Sequence, residues 1–133
     1  MQTNTSDTLL RRVLLLDAMS SGALALVGIA LAAPLAALLG LPADLLREAG
    51  IVLIPFAAFV GFVASRARMP RAAVWIIIGL NVLWTIDSIA LVFSDAITPN
   101  AFGYAFILGQ AAAVGVLAEL EYFGLRRTRR VAG

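Results

Sequence analysis

Cysteine, histidine and lysine are all missing from this 133-residue chain, and charged residues of any kind make up only 14% of it. Without Cys or His, the chain alone builds no disulfide, thiolate nucleophile, Cys/His zinc site, His-ligated haem or Ser-His-Asp relay. The titratable groups that remain are ten Arg, eight carboxylates and two Tyr. That set leaves proton handling, ion pairing and binding as the available chemistry. No catalytic residue, metal ligand or cofactor motif stands out, and the glycines are scattered rather than gathered into a phosphate-binding loop. The reading therefore leans away from an enzyme. Soluble domains carry about 25% charged residues, and a chain with so few cannot cover itself with polar side chains in water. A soluble enzyme, a disordered tail and a nucleic-acid-binding domain are all excluded on that ground.

What is present is apolar: 62% of the residues, with a mean hydropathy of +0.97. A helix crossing the roughly 30 Å hydrocarbon core needs about 20 apolar residues. Four stretches qualify, at about 13–33, 45–64, 72–93 and 101–118, and together they predict an all-α, integral-membrane four-helix bundle in a single domain over 1–133. Ser6 or Asp7 is placed to cap the first helix. Pro34 and Gly40-Leu41-Pro42 interrupt the pattern after it, and the piece from Pro34 to Leu41, too short to cross, reads as a short interfacial helical turn. Pro42 and Pro70 are placed to open the second and third spans, and Thr98-Pro99 the fourth. Pro55 falls inside the second span, where the lost backbone bond predicts a kink. The first apolar run exceeds the 7–15 residues of a signal-peptide core and contains Asp17, so an uncleaved span is expected.

Arginine placement sets the orientation. Arg11 and Arg12 precede the first span; Arg66, Arg68 and Arg71 join the second to the third; Arg126, Arg127, Arg129 and Arg130 follow the fourth. The other two connections hold Arg47 alone. This bias alternates correctly across all four spans and predicts a bacterial inner-membrane protein with both termini cytoplasmic. The basic tail would sit near anionic headgroups.

In lipid, helices associate through close packing and hydrogen bonds. Rows of small residues four apart occur at Gly28, Ala32, Ala36 and Gly40, at Ala57, Gly61 and Ser65, and at Ala101, Ala105, Gly109 and Ala113. They suit contacts within one bundle or between subunits equally well, so a homo-oligomer or a larger membrane complex is an expected partner state besides the bilayer itself.

Ionisable residues inside a span are expensive and should face protein or water. Asp87 lies sixteen residues after Arg71, roughly 24 Å into the third span. Asn81, Thr85 and Ser88 share its helix with Trp84 at one edge, and Gln110 sits at a similar depth on the fourth span, so a hydrogen bond between Asn81 and Gln110 is expected. Asn81, Trp84, Thr85, Asp87, Ser88 and Gln110 are the candidate binding residues of a polar cleft between the third and fourth spans; a plain register-fixing hydrogen-bond cluster is the structural alternative. Asp17 and Glu119 lie near the cytoplasmic edge, where either is expected to pair with Arg66, Arg71 or Arg126. Glu121 is about 160° from Glu119 around the helix and is assigned no role. Trp75 and Tyr122 suit one aromatic belt and Tyr104 the other.

The size, four spans and inside termini resemble the architecture of small multidrug resistance transporters, without their mid-membrane glutamate on the first helix. Asp17, the Leu39-Gly40-Leu41-Pro42 turn, Asn81, Trp84, Ser88, Pro99, Gly103, Gln110 and Tyr122 together resemble small bacterial inner-membrane proteins with no assigned activity, which implies location and no chemistry. Three functions compete: first a non-enzymatic accessory or scaffold bundle, favoured by the small-residue rows and the lack of any reactive constellation; then a dimeric proton- or ion-coupled small-solute transporter; and then a binder of lipid or quinone in a lateral cleft between the third and fourth spans.

Overall fold

The computed structural model describes the backbone of residues 3–132 and the side chains of residues 8–127. It is all-α, with five helices: α1 (Thr3–Ala30), α2 (Ala32–Leu39), α3 (Ala43–Ser65), α4 (Arg71–Val92) and α5 (Ala101–Ala132). Four of them are long and apolar enough to cross a membrane, over Thr8–Ala30, Ala43–Ser65, Arg71–Val92 and Ala101–Arg127.

The element boundaries depart from the sequence expectation at the ends. The helix of the first span begins by Thr3, upstream of the expected cap; the Ser6 and Asp7 side chains lie outside the described residues. It stops at Ala30, three residues short of the expected end. The turn of helix expected from Pro34 is an eight-residue helix beginning at Ala32, with Pro34 in its first turn, where a missing N–H costs nothing. α3 continues unbroken through Pro55. α5 runs well past residue 118, because Glu, Leu and Arg are good helix formers and apolar length does not set helix length.

Capping explains the turns. Gly40 closes α2 in the left-handed region, φ 68°, donating to the Ala36 carbonyl at 2.9 Å, a conformation that favours glycine. Pro42 and Pro70 immediately precede the first residues of α3 and α4. The start of α5 is capped by Asn100 rather than by Thr98: Asn100 Oδ1 accepts from the Gly103 N–H at 2.9 Å. The same residue donates from its backbone N–H to the Leu39 carbonyl at 3.1 Å and from Nδ2 to the Leu38 carbonyl at 2.8 Å, tying the end of α2 to the start of α5.

α1 is the centre of the bundle, packed along α3 on one side and α5 on the other, and α4 packs along α5. α3 and α4, although consecutive, scarcely touch. Two apolar clusters close the ends. Leu10, Leu14, Val60, Val63, Val74, Ile77 and Leu125 fill the end that carries the termini, and Leu39, Leu41, Leu46, Ile97 and Ile107 fill the other. Small residues set the α1–α3 approach. A Cβ on Gly28 would lie 2.9 Å from the Leu46 carbonyl oxygen, and one on Gly50 2.8 Å from that of Ala25. The row through Gly28 therefore serves contacts inside the bundle, and so does that through Gly61, where a Cβ would lie 3.8 Å from the Ala18 Cβ of α1.

Arginines at the terminal end donate to backbone carbonyls of neighbouring helices. Arg11 donates to the carbonyls of Ala64, Arg66 (2.8 Å) and Ala67 (3.4 Å), and Arg71 to that of Leu125 at 3.1 Å. The Arg11 contacts place positive charge at the C-terminus of α3, where the helix dipole is negative. Trp75 and Tyr122 meet edge-on, ring centroids 5.8 Å apart. The side chains of Arg129 and Arg130 lie outside the described residues.

Candidate functional site: a lateral groove backed by buried carboxylates

The separation of α3 from α4 leaves a groove along the bundle, floored by α1 and α5. It contains two adjoining cavities of about 610 Å³ and about 300 Å³, which share Leu24, Val52, Leu53, Trp84, Asp87 and Gln110. Their combined size is in the range of small-molecule sites. The walls are mostly aliphatic and aromatic, with Phe56 and Phe59 at one end and Glu48 near the other. The cleft that gathers most of the candidate residues thus lies between the second and third spans; a cavity of about 550 Å³ does lie between the third and fourth, on the outer face of α4 and α5, but of the candidate binding residues it takes in Thr85 alone. On the groove side α4 and α5 are clamped by side chains: Trp84 Nε1 donates to Gln110 Oε1 at 2.8 Å, and Gln110 Nε2 donates to Ser88 Oγ at 3.0 Å and to the Ile107 carbonyl at 2.8 Å.

The six candidate binding residues divide accordingly. Trp84, Asp87, Ser88, Gln110 and Asn81 all line the groove. Thr85 does not. Its hydroxyl donates to the Asn81 carbonyl at 2.9 Å, and its side chain faces α5 on the opposite side, beside Gly115. Asp87 is exposed within the groove, and no ion pair among the described residues involves it.

Asn81 does not pair with Gln110. It is 3% exposed, and its Nδ2 donates to two carboxylates at once: Asp17 Oδ2 at 2.8 Å and Glu121 Oε1 at 2.8 Å. Ser21 Oγ donates to Asp17 Oδ1 at 3.2 Å. Asp17 is 1% exposed and Glu121 is fully buried, with its Oε2 unpartnered. Three helices therefore converge on one amide, with Ser21 and Asn81 forming the groove wall in front of the carboxylates.

The expected arginine pairs of Asp17 and Glu119 are not formed. Among the described residues the one ion pair is Arg47–Asp44, at 2.9 Å on the surface of α3. Asp17 is level with Asn81, which lies ten residues, about 15 Å, after Arg71 in the 22-residue α4, and so is out of reach of the arginines at the helix ends. The arginines are drawn to helix carbonyls, and Arg66 lies over the Phe62 ring at 5.3 Å. Arg126 is exposed. Glu119 is also exposed, beside Thr85 and Tyr122 on the outer face of α4 and α5.

Glu121 is the residue that sequence reasoning passed over. It falls in register with Ile107, Ala111, Val114, Ala118 and Leu125, a three-four spacing of buried or half-buried positions. That spacing was readable, and it assigns Glu121, not Glu119, to the packed face. No protein-family model, curated protein or solved structure matches this chain.

Proposed function

We propose that this is a bacterial inner-membrane protein, both termini cytoplasmic, that binds a bilayer-resident amphiphile in the groove between α3 and α4. The observation that carries the reading is the splay of these two helices: it leaves cavities lined by apolar side chains and open sideways, with polar groups confined to one stretch. A groove open along its length is loaded from lipid more readily than from water, which favours binding over translocation of a water-borne solute.

The polar stretch selects the head group. Gln110, Trp84 and Ser88 spend their hydrogen bonds on one another. The acceptors left facing the cavity are the carboxylates of Asp87 on α4 and Glu48 on α3. A head that donates hydrogen bonds, an ammonium or a quinol hydroxyl, matches them, and the tail lies along Leu53, Phe56, Phe59 and Leu80.

Tryptophan quenching in nanodiscs tests this directly. In a Trp75→Phe variant, Trp84 is the single indole. Phosphatidylethanolamine with brominated tails should quench it more strongly than brominated phosphatidylglycerol at equal fraction, and unbrominated quinol should relieve the quenching if it shares the site. Leu53→Trp in the Trp84→Phe, Trp75→Phe background fills the groove and should lower lipid co-purification. Equal quenching by both lipids, unchanged in Asp87→Asn, would refute the assignment. Orientation is checked in the same cysteine-free chain: a cysteine replacing Ala96 should react with an impermeant maleimide from the periplasmic side, and one replacing Ala67 should not.

A second reading, the accessory or scaffold bundle, has its own support. Ala101, Ala105 and Gly109 are exposed along α5, and a Cβ on Gly109 would meet nothing within 4 Å. A second copy or a partner helix would find a smooth, small-residue face there. Disulfide cross-linking of Gly109→Cys in native membranes tests it; a strictly monomeric product counts against it.

A further inference from the structure

The groove reading makes no use of the two carboxyl groups behind its wall. Asp17 Oδ2 and Glu121 Oε1 both lie 2.8 Å from the same nitrogen, so they are no farther apart than twice that distance. We propose that Asp17 and Glu121 hold one exchangeable proton between them, a proton-binding site inside the membrane that is reached from the groove past Ser21 and Asn81.

Three observations support this assignment. First, nothing else neutralises the pair. From α1 the only charged group at this depth is Asp17 itself, since Arg11 is engaged at the end of α3. α4 brings Asn81, and its Arg71 reaches the Leu125 carbonyl instead. On the nearby stretch of α3, the buried and half-buried residues are Phe56, Ala57, Phe59, Val60, Gly61 and Val63, none of them ionisable. α5 brings Glu121, while Glu119 and Arg126 are exposed. Two carboxylates this close, both removed from water and without a cation, are relieved by sharing a proton. Second, Glu121 Oε2 is fully buried with no partner. A hydrogen on that oxygen turns an unsatisfied acceptor into a donor beside a second carboxylate. Third, the position a metal ion would take between the carboxylates is occupied by the Asn81 NH₂, which is itself a donor. Among the described residues no third Asp or Glu joins them. The proton arrives from water entering the groove and returns to it; the only bond made or broken is O–H.

Infrared spectroscopy of the whole protein in nanodiscs tests the proposal whatever occupies the groove. The wild type should show the carbonyl stretch of a protonated carboxylic acid at neutral pH, and that band should move in D₂O. Glu121→Gln should delete it, and Asp17→Asn should shift its frequency, because the hydrogen-bond acceptor changes. A wild-type spectrum without the band, a band that never responds to D₂O, or one that survives Glu121→Gln would each overturn the assignment. The wild-type arms need no variant to fold. Loss of the groove ligand would leave the band in place, so this test fails separately from the quenching test above.

Discussion

Replacing Asn81 by leucine removes the one donor shared by two buried carboxylates without opening a cavity, since the two side chains are close in volume. The cost follows from counting bonds. Asn81 Nδ2 makes two interhelical hydrogen bonds, one to α1 and one to α5. Interhelical hydrogen bonds in membranes measure about 0.6 kcal/mol on average and reach about 1.7. Leaving a buried acceptor unpaired costs about 1–3 kcal/mol. Asn81→Leu should therefore destabilise the bundle by about 1–3.5 kcal/mol, read as the free energy of reversible unfolding in mixed detergent–lipid micelles.

The sign of the next step is the sharper test. A buried polar cluster is costly when partly satisfied and close to neutral when replaced outright by apolar groups of similar shape. The triple variant Asp17→Leu, Asn81→Leu, Glu121→Leu should thus be more stable than Asn81→Leu alone, although it carries two further substitutions. Strong positive coupling is expected because all three side chains meet. If the triple variant loses as much as the three single losses added together, the convergence of these residues on one amide is not what holds the centre of the bundle.

The remaining predictions concern the frame. Gly50→Val should separate α1 from α3, because even a Cβ lies 2.8 Å from the Ala25 carbonyl oxygen; a loss of about 1–3 kcal/mol is expected by unfolding, and Gly109→Val, with open space around it, should cost less than a third of that. Asn100→Ala removes the Nδ2 bond that fastens α5 to Leu38 of α2 together with the cap on the Gly103 N–H, and should cost about 1–2 kcal/mol while speeding amide exchange at the start of α5 before anywhere else.

Much of the frame was legible because its causes are local. Four apolar runs, the prolines before α3 and α4 and the glycine after α2 act through their own backbone, and the boundaries they imply fall within a few residues of those observed, except at the start of α1 and the end of α5. The site was less legible because its cause is rotational. Asn81, Trp84, Asp87, Ser88 and Gln110 were all marked by polarity within a span. Which partner each would find depends on how neighbouring helices are turned, and polarity carries no such information. Asp17 was placed near the membrane edge because it was counted from Val13, the first residue after Arg11 and Arg12; the packing of α1 sets it level with Asn81, ten residues into α4, a relation between helices that one helix does not reveal. Glu119 and Glu121, two residues apart, face nearly opposite ways. The close approach of Gly124 to Leu10, where a Cβ would sit 3.2 Å from the Leu10 Cα, is part of what fixes which of them turns inward.

The groove itself is explained by where close approach is possible. α1 and α3 meet at Gly28 and Gly50, α1 and α5 at Gly124, and α4 and α5 through Gly115 against Thr85 and through the Trp84–Gln110 bond. Across α3 and α4 there is no counterpart. The α3 residues bordering the groove include Phe56 and Phe59, those of α4 include Leu80, Leu83 and Trp84, and Gly79 of α4 has nothing within 4 Å of where a Cβ would lie. Residues 66–70 bring the ends of these helices together at the terminal side, and beyond that turn the small-residue seam holds α3 on α1 while α4 follows α5. Apolar burial gives no force to close such a gap in lipid, because acyl chains solvate leucine as well as leucine does. The same side chains in water would collapse on one another. In a bilayer they form a stable opening, and the polar residues that line it sit where a membrane-soluble molecule can meet them.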